Sequence, residues 1–71
     1  MTETEITVTV RETGECAEGI RTPEGALSAA LTIGREAKNH ARTHGFDPTL
    51  VFEVDGKVVR TSTLRTLTRT H

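Results

Sequence analysis

Tryptophan and tyrosine are absent from this chain, and phenylalanine occurs only as Phe46 and Phe52. Any core must therefore be aliphatic and small. Leu, Ile, Val and Phe make up 16 of the 71 residues, just above the roughly 20% below which a chain tends to stay disordered. A chain of this length forms one domain and buries only about 60% of its unfolded surface. A homodimer that shares apolar surface is the expected remedy for so small a core. Cysteine occurs once, at Cys16. That excludes an internal disulfide, fits a reducing, cytoplasmic setting and offers no thiol cluster to a metal. No run of about 18 apolar residues is present, so no membrane partner is expected. The opening MTETEITVTV is acidic and alternating, and it lacks the basic start and apolar core of a secretory signal.

Acidic residues are missing from one end. Residues 57–71 hold Lys57, Arg60, Arg65 and Arg69 and no carboxylate, whereas residues 1–25 hold six Glu against Arg11 and Arg21, within a net charge of −1. The two ends therefore carry opposite signs, and the basic end suits an anion.

The periodicities that are present define an architecture. EITVTVRE (residues 5–12) alternates strictly, with Ile6, Val8 and Val10 on one side, which predicts a half-buried strand. Thr13-Gly14 predicts a turn. ECAEGIRT predicts a returning strand with Cys16 and Ile20 inward and Gly19 as the mark of a bulge. Thr22-Pro23 is a helix start: Thr accepts an N–H as the cap, and Pro loses nothing at the first helical position. Glu24 suits the positive end of the helix dipole. The helix is predicted to run to Thr43 or His44, with Leu27, Ala30, Leu31, Gly34, Ala37 and Ala41 on its buried face and Ser28, Thr32, Arg35, Glu36 and Asn39 opposite. Gly34 on that stripe predicts a close approach to the sheet. PTLVFEV (48–54) predicts a third strand with Leu50, Phe52 and Val54 inward. Asp55-Gly56 predicts a two-residue hairpin turn into KVVRTST, pairing Phe52 with Val59 and Leu50 with Thr61. Thr7, Thr9, Val51, Glu53, Val58 and Arg60 then fall on the uncovered face. Beyond Ser62 the pattern fades, and residues 1–4 and 63–71 are expected to fray, with a further strand or a helical turn as alternatives for LRTLTRTH. The fold class is α+β: one domain in the order β-β-α-β-β, a four-stranded antiparallel sheet with one helix on one face.

Candidate chemistry is sparse. HARTHG (40–45) places His40 and His44 four residues apart, a spacing that on a helix could hold a metal. It lacks the Glu of H-E-x-x-H, and Cys16, Asp47 and His71 do not stand at ligand spacing. Helix termination explains the stretch: Gly45 suits the left-handed position at a helix end, and Lys38, His40, Arg42 and His44 suit the negative end of the dipole. Cys16 with a histidine base would need a proximity that sequence does not give, and a small buried hydrophobe is the simpler reading. No phosphate-binding glycine motif occurs. No enzyme activity, metal or cofactor is expected. Lys57, Arg60, Arg65 and Arg69, interspersed with Thr hydroxyls, are the candidate contacts for an anion or nucleic acid. They are modest in charge and have no aromatic stacking platform among them.

The stretch TPEGALSAALTIGREAKNHARTHGFDPTLVFEVDGKVVRT resembles two groups. One comprises small ββαββ domains of unknown function, in which a helix ending in a basic segment and Gly leads to a strand, a D-G turn and a strand ending in Arg. The other is the N-terminal domain of HicB-type antitoxins. This chain lacks the aromatic residues of the first hairpin, the Pro-rich loop and the second DNA-binding domain of HicB proteins, so the resemblance bears on topology. A HicB-like relationship implies a module that binds a partner protein. The expectation is a small non-enzymatic protein-interaction module, an accessory or inhibitor protein. The alternative is a nucleic-acid-binding protein that uses the basic C-terminal segment.

Overall fold

A computed structural model describes residues 4–41 and 45–69. Its elements are β1 (Ile6–Val10), β2 (Cys16–Ile20), α1 (Pro23–His40), β3 (Thr49–Val54), β4 (Lys57–Thr63) and α2 (Leu64–Arg69). The strands form one four-stranded antiparallel sheet in the order β2-β1-β3-β4. The predicted β-β-α-β-β order is therefore present, and a short second helix follows it. No helix among the described residues is long and apolar enough to cross a membrane.

The alternation of β1 and β3 sets the core. Val8, Val10, Leu50 and Phe52 face α1, and the first three are fully buried. From α1, Ala26, Ala30, Gly34 and Ala37 are buried, flanked by the half-buried Leu27, Leu31 and Ile33. The predicted outer residues Ser28, Thr32, Arg35, Glu36 and Asn39 are all exposed. Small side chains let the helix lie close. A Cβ on Gly34 would stand 3.0 Å from Leu64 Cδ1 and 3.5 Å from both δ-methyls of Leu50. This glycine is thus the point where α1, α2 and β3 meet.

Thr22 caps α1 as its chemistry dictates. Its Oγ1 accepts the Gly25 N–H at 3.0 Å, and Pro23 opens the helix. The far end falls earlier than predicted. The helix stops at His40, and Ala41 is extended (φ −73, ψ 134), with its N–H shared between the carbonyls of Ala37 and Lys38. That sharing is the tightening typical of a final turn. Gly45 does adopt a left-handed φ of +80, but in the turn that leads to β3 and not at the helix end. Arg42, Thr43 and His44 lie outside the described residues, as do Met1 to Glu3, Thr70 and His71.

Two bulges overturn two sequence expectations. On β2, Val8 faces Ala17 and Thr9 faces Cys16, but Ile6 faces Ile20, so β2 carries one extra residue around Gly19. Gly19 sits at φ +73, as its predicted bulge role requires. An extra residue switches the face of everything beyond it. Ile20 therefore points to the core, while Cys16 lies on the opposite face and is exposed, contrary to the inward position expected for it. On β4 the Asp55-Gly56 turn is as expected, with φ of 52 and 78, and Val54 pairs with Lys57 and Glu53 with Val58. Then the register shifts: Phe52 pairs with Arg60 and Leu50 with Ser62, not with Val59 and Thr61. Arg60 consequently stands on the helix side of the sheet and not on the open face. Both bulged strands are the edges of the sheet, where bulges hinder unwanted pairing.

The end expected to fray is ordered as far as Arg69. Leu64 and Leu67 of α2 are buried against α1 and the sheet. Three N–H groups of its first turn have partners. Leu64 N–H donates to Pro48 O at 2.9 Å, Arg65 N–H to Asp47 Oδ1 at 2.9 Å, and Thr66 N–H to Thr63 Oγ1 at 3.2 Å. A second tie joins β3 to the first hairpin. Both carboxylate oxygens of Glu12 accept from Thr49, one from its N–H at 2.9 Å and one from its hydroxyl at 2.8 Å. Partial burial acts to raise the Glu12 pKa. The two Thr49 hydrogen bonds, its own N–H and the neighbouring Arg11 outweigh that and hold it below its ordinary value of 4.5.

Candidate functional site

The two helices do not cover the sheet evenly. α1 packs on β1, β2 and β3, and α2 packs on α1 and the end of β4. Between the first turn of α1 and the hairpin end of β3 and β4, the helix side of the sheet is left open as a groove of about 350 Å³. Its apolar walls are Ile6, Ala26, Leu27, Phe52, Val54 and Val59. Two charges of opposite sign also line it: Glu24, in the first turn of α1, and Arg60, on β4.

Each part of this groove follows from a local feature. Thr22 and Pro23 fix where the helix begins and so where its cover ends. The β4 bulge brings Arg60 to the groove side. Its guanidinium then lies over the Phe52 ring, 5.8 Å from the centroid, within range of a cation–π attraction. Val58 and Val59, at 58% and 62% exposure, are the large apolar residues most open to solvent among the described residues. They sit on a strand with no neighbour on its outer side among those residues. The groove is therefore apolar, carries one cation at the β4 rim and adjoins an unpaired strand edge.

The predicted basic set divides. Lys57 pairs with Val54 beside the hairpin turn, and Arg60 lines the groove. Arg65 and Arg69 are exposed on α2, one helical turn apart. Leu64, the first residue of α2, stands seven positions beyond Lys57 along β4, roughly 20 Å at strand rise. The four cations do not converge on one surface. Of the histidine pair, His40 is the exposed last residue of α1 and His44 lies outside the described residues. Among the described residues no three His, Cys, Asp or Glu side chains group as metal ligands. Cys16 has Glu18 as its hydrogen-bond partner, with Sγ 4.0 Å from Oε1, on the edge strand at the other side of the sheet from β4.

Sequence reasoning missed the groove because it placed Arg60 on the other face. It left α2 open although a signal was present: Thr63 followed by Leu64 and Leu67 is a cap before an i, i+3 apolar pair. No family model matches the chain, and no curated protein or solved structure matches it either.

Proposed function

We propose that this chain is a non-enzymatic protein-interaction module that engages its partner through β4 and the adjoining groove. The observation that carries this reading is the exposure of Val58 and Val59 on an unpaired edge strand beside an apolar hollow. Strand edges supply main-chain donors and acceptors, and adjacent hollows select side chains; together they form a common mode of peptide recognition. The partner-binding role implied by the HicB resemblance accords with it. A cytoplasmic setting belongs to the same proposal, since the one thiol is exposed and unbridged. Nucleic-acid binding through Lys57, Arg60, Arg65 and Arg69 has weaker support, because the four divide into two pairs, Lys57 and Arg60 at the hairpin end of β4 and Arg65 and Arg69 on α2.

Affinity capture from the native host with parent chain and a Val58→Lys, Val59→Lys double variant, read by mass spectrometry, tests the proposal. A specific protein enriched by the parent and lost with the variant supports it. Enrichment of nucleic acid instead, falling steeply with salt as phosphate contacts do, contradicts it. The homodimer expected from the small core is proposed for the open face around Thr7, Thr9, Val51, Glu53 and Val58, which leaves the groove and the outer edge of β4 free. Light scattering at low micromolar concentration measures it directly, and a monomeric mass rejects it.

A further inference from the structure

Resting on the interaction reading above, we propose that the groove and the β4 edge take an extended peptide segment of another protein that carries a carboxylate and a large apolar residue two positions apart, on one face of the strand. Three features specify this occupant. The first is shape. α1 and α2 close the rest of the helix-side layer, so what remains is a hollow with room for side chains and none for a folded element; at about 350 Å³ it lies at the small end of ligand sites, which run to about 1,000 Å³. The second is the bulge, which aligns Val59 with the groove and Arg60 with Phe52. Past it, Arg60 to Thr63 continues as regular strand with its outer edge open. An added strand there presents alternate side chains to the groove, by the period of two.

The third feature is charge. From Lys57 to Arg69 the chain carries four cations and no carboxylate. A carboxylate on the added strand meets Arg60, whose guanidinium forms no ion pair among the described residues. Glu24 on the opposite rim repels a second carboxylate, so the acid falls on the β4 side and an apolar side chain lies between. The same charge argues against a second copy at this edge. Two β4 strands paired about a two-fold axis would set cations against cations, which destabilises facing positions. Pairing β4 with the Glu-bearing β2 of another copy satisfies charge but leaves an edge free at each end, an open series and not a closed dimer.

The test uses fluorescence anisotropy with two labelled heptapeptides: a Glu–Leu peptide, Thr-Leu-Thr-Glu-Thr-Leu-Thr, which sets Glu and Leu on one face of a strand, and a Lys–Leu peptide with Lys in place of Glu. The proteins are the full chain and its Val59→Asp and Arg60→Glu variants. Thermal melts by circular dichroism check that both exposed-site variants fold. The Glu–Leu peptide is expected to bind the parent, and each variant to weaken it about tenfold. Arg60→Glu should gain affinity for the Lys–Leu peptide, a reversal that misfolding does not produce. Glu–Leu binding that neither variant changes overturns the groove assignment while the capture experiment still decides the module reading. Failure of the Glu–Leu peptide to bind, or a preference of the parent for Lys–Leu, overturns the proposal. So does Arg60-dependent displacement of the peptide by an oligothymidylate, which assigns the surface to nucleic acid. A parent dimer that dissociates on Val59→Asp assigns it to a second copy and overturns the proposal equally.

Discussion

Gly34 is the place where packing leaves least room, and two substitutions there should behave very differently. Alanine adds a Cβ that would stand 3.0 Å from Leu64 Cδ1 and 3.5 Å from both Leu50 methyls. The first contact is tight, but Leu64 Cδ1 is the end of a flexible side chain and can move by a few tenths of an ångström. Alanine also gains about 1 kcal/mol of helix propensity over glycine. The two effects oppose, so Gly34→Ala should stay within about 1 kcal/mol of the parent. Leucine has no such escape, because its branches enter space held by Leu50 and Leu64, which are both buried. Overpacking of this kind costs about 1–3 kcal/mol. For a domain of this size the total is only about 4–10 kcal/mol, and each lost kcal/mol lowers Tm by about 4–8 °C. Urea denaturation followed by far-ultraviolet circular dichroism gives the comparison, with Asn39→Leu on the exposed face as control, expected within about 0.5 kcal/mol of the parent. Leu64→Ala in the Gly34→Leu background should recover part of the loss, with a coupling of about 1 kcal/mol. Equal tolerance of Gly34→Leu and Asn39→Leu would refute this packing, and so would full additivity of the Gly34→Leu and Leu64→Ala losses.

Other consequences are separable. The lowered pKa of Glu12 means that its Thr49 clamp stabilises the fold above the unfolded carboxylate pKa and is lost as pH falls through the lower folded value. Stability should therefore decline below about pH 4.5, and Glu12→Gln should flatten that slope; solvent screening holds the contribution to about 0.5 kcal/mol or less. An unchanged slope in Glu12→Gln would reject the clamp. Removal of the α2 caps by Asp47→Ala or Thr63→Ala should each cost about 1 kcal/mol. Both should speed amide exchange at Arg65 and Thr66 ahead of exchange in β3, and equal acceleration throughout would show that α2 is not a separate unit.

What the sequence reveals and conceals here follows from the range of the interactions concerned. EITVTV, Thr22-Pro23 and Asp55-Gly56 act on their own neighbours: alternation, a cap three residues away, a turn that needs positive φ at both positions. Each of these was legible. The two bulges were less so. Gly19 marks one, since its φ of +73 is hard for other residues. The other falls at Val58 and Val59, two residues of one type in a strand that either register would accept. A single uncounted residue there moved Arg60 to the opposite face and with it the whole groove. The end of α1 was misplaced because Gly45 is a good terminator that serves the following turn instead. The order of α2 draws on two caps: Thr63, whose place before Leu64 and Leu67 a local reading could have found, and Asp47, 18 residues from Arg65, which no local pattern reports.

The central claim is that β4 and its groove form the binding face. Amide chemical shifts recorded while the Glu–Leu heptapeptide is titrated into the isotopically labelled chain test it residue by residue. The account predicts shifts concentrated at Leu27, Phe52 and Val58 to Ser62, with Cys16 to Gly19 on the far edge unmoved. Shifts centred on β2, or on Thr7, Thr9 and Glu53 of the open face, would contradict it.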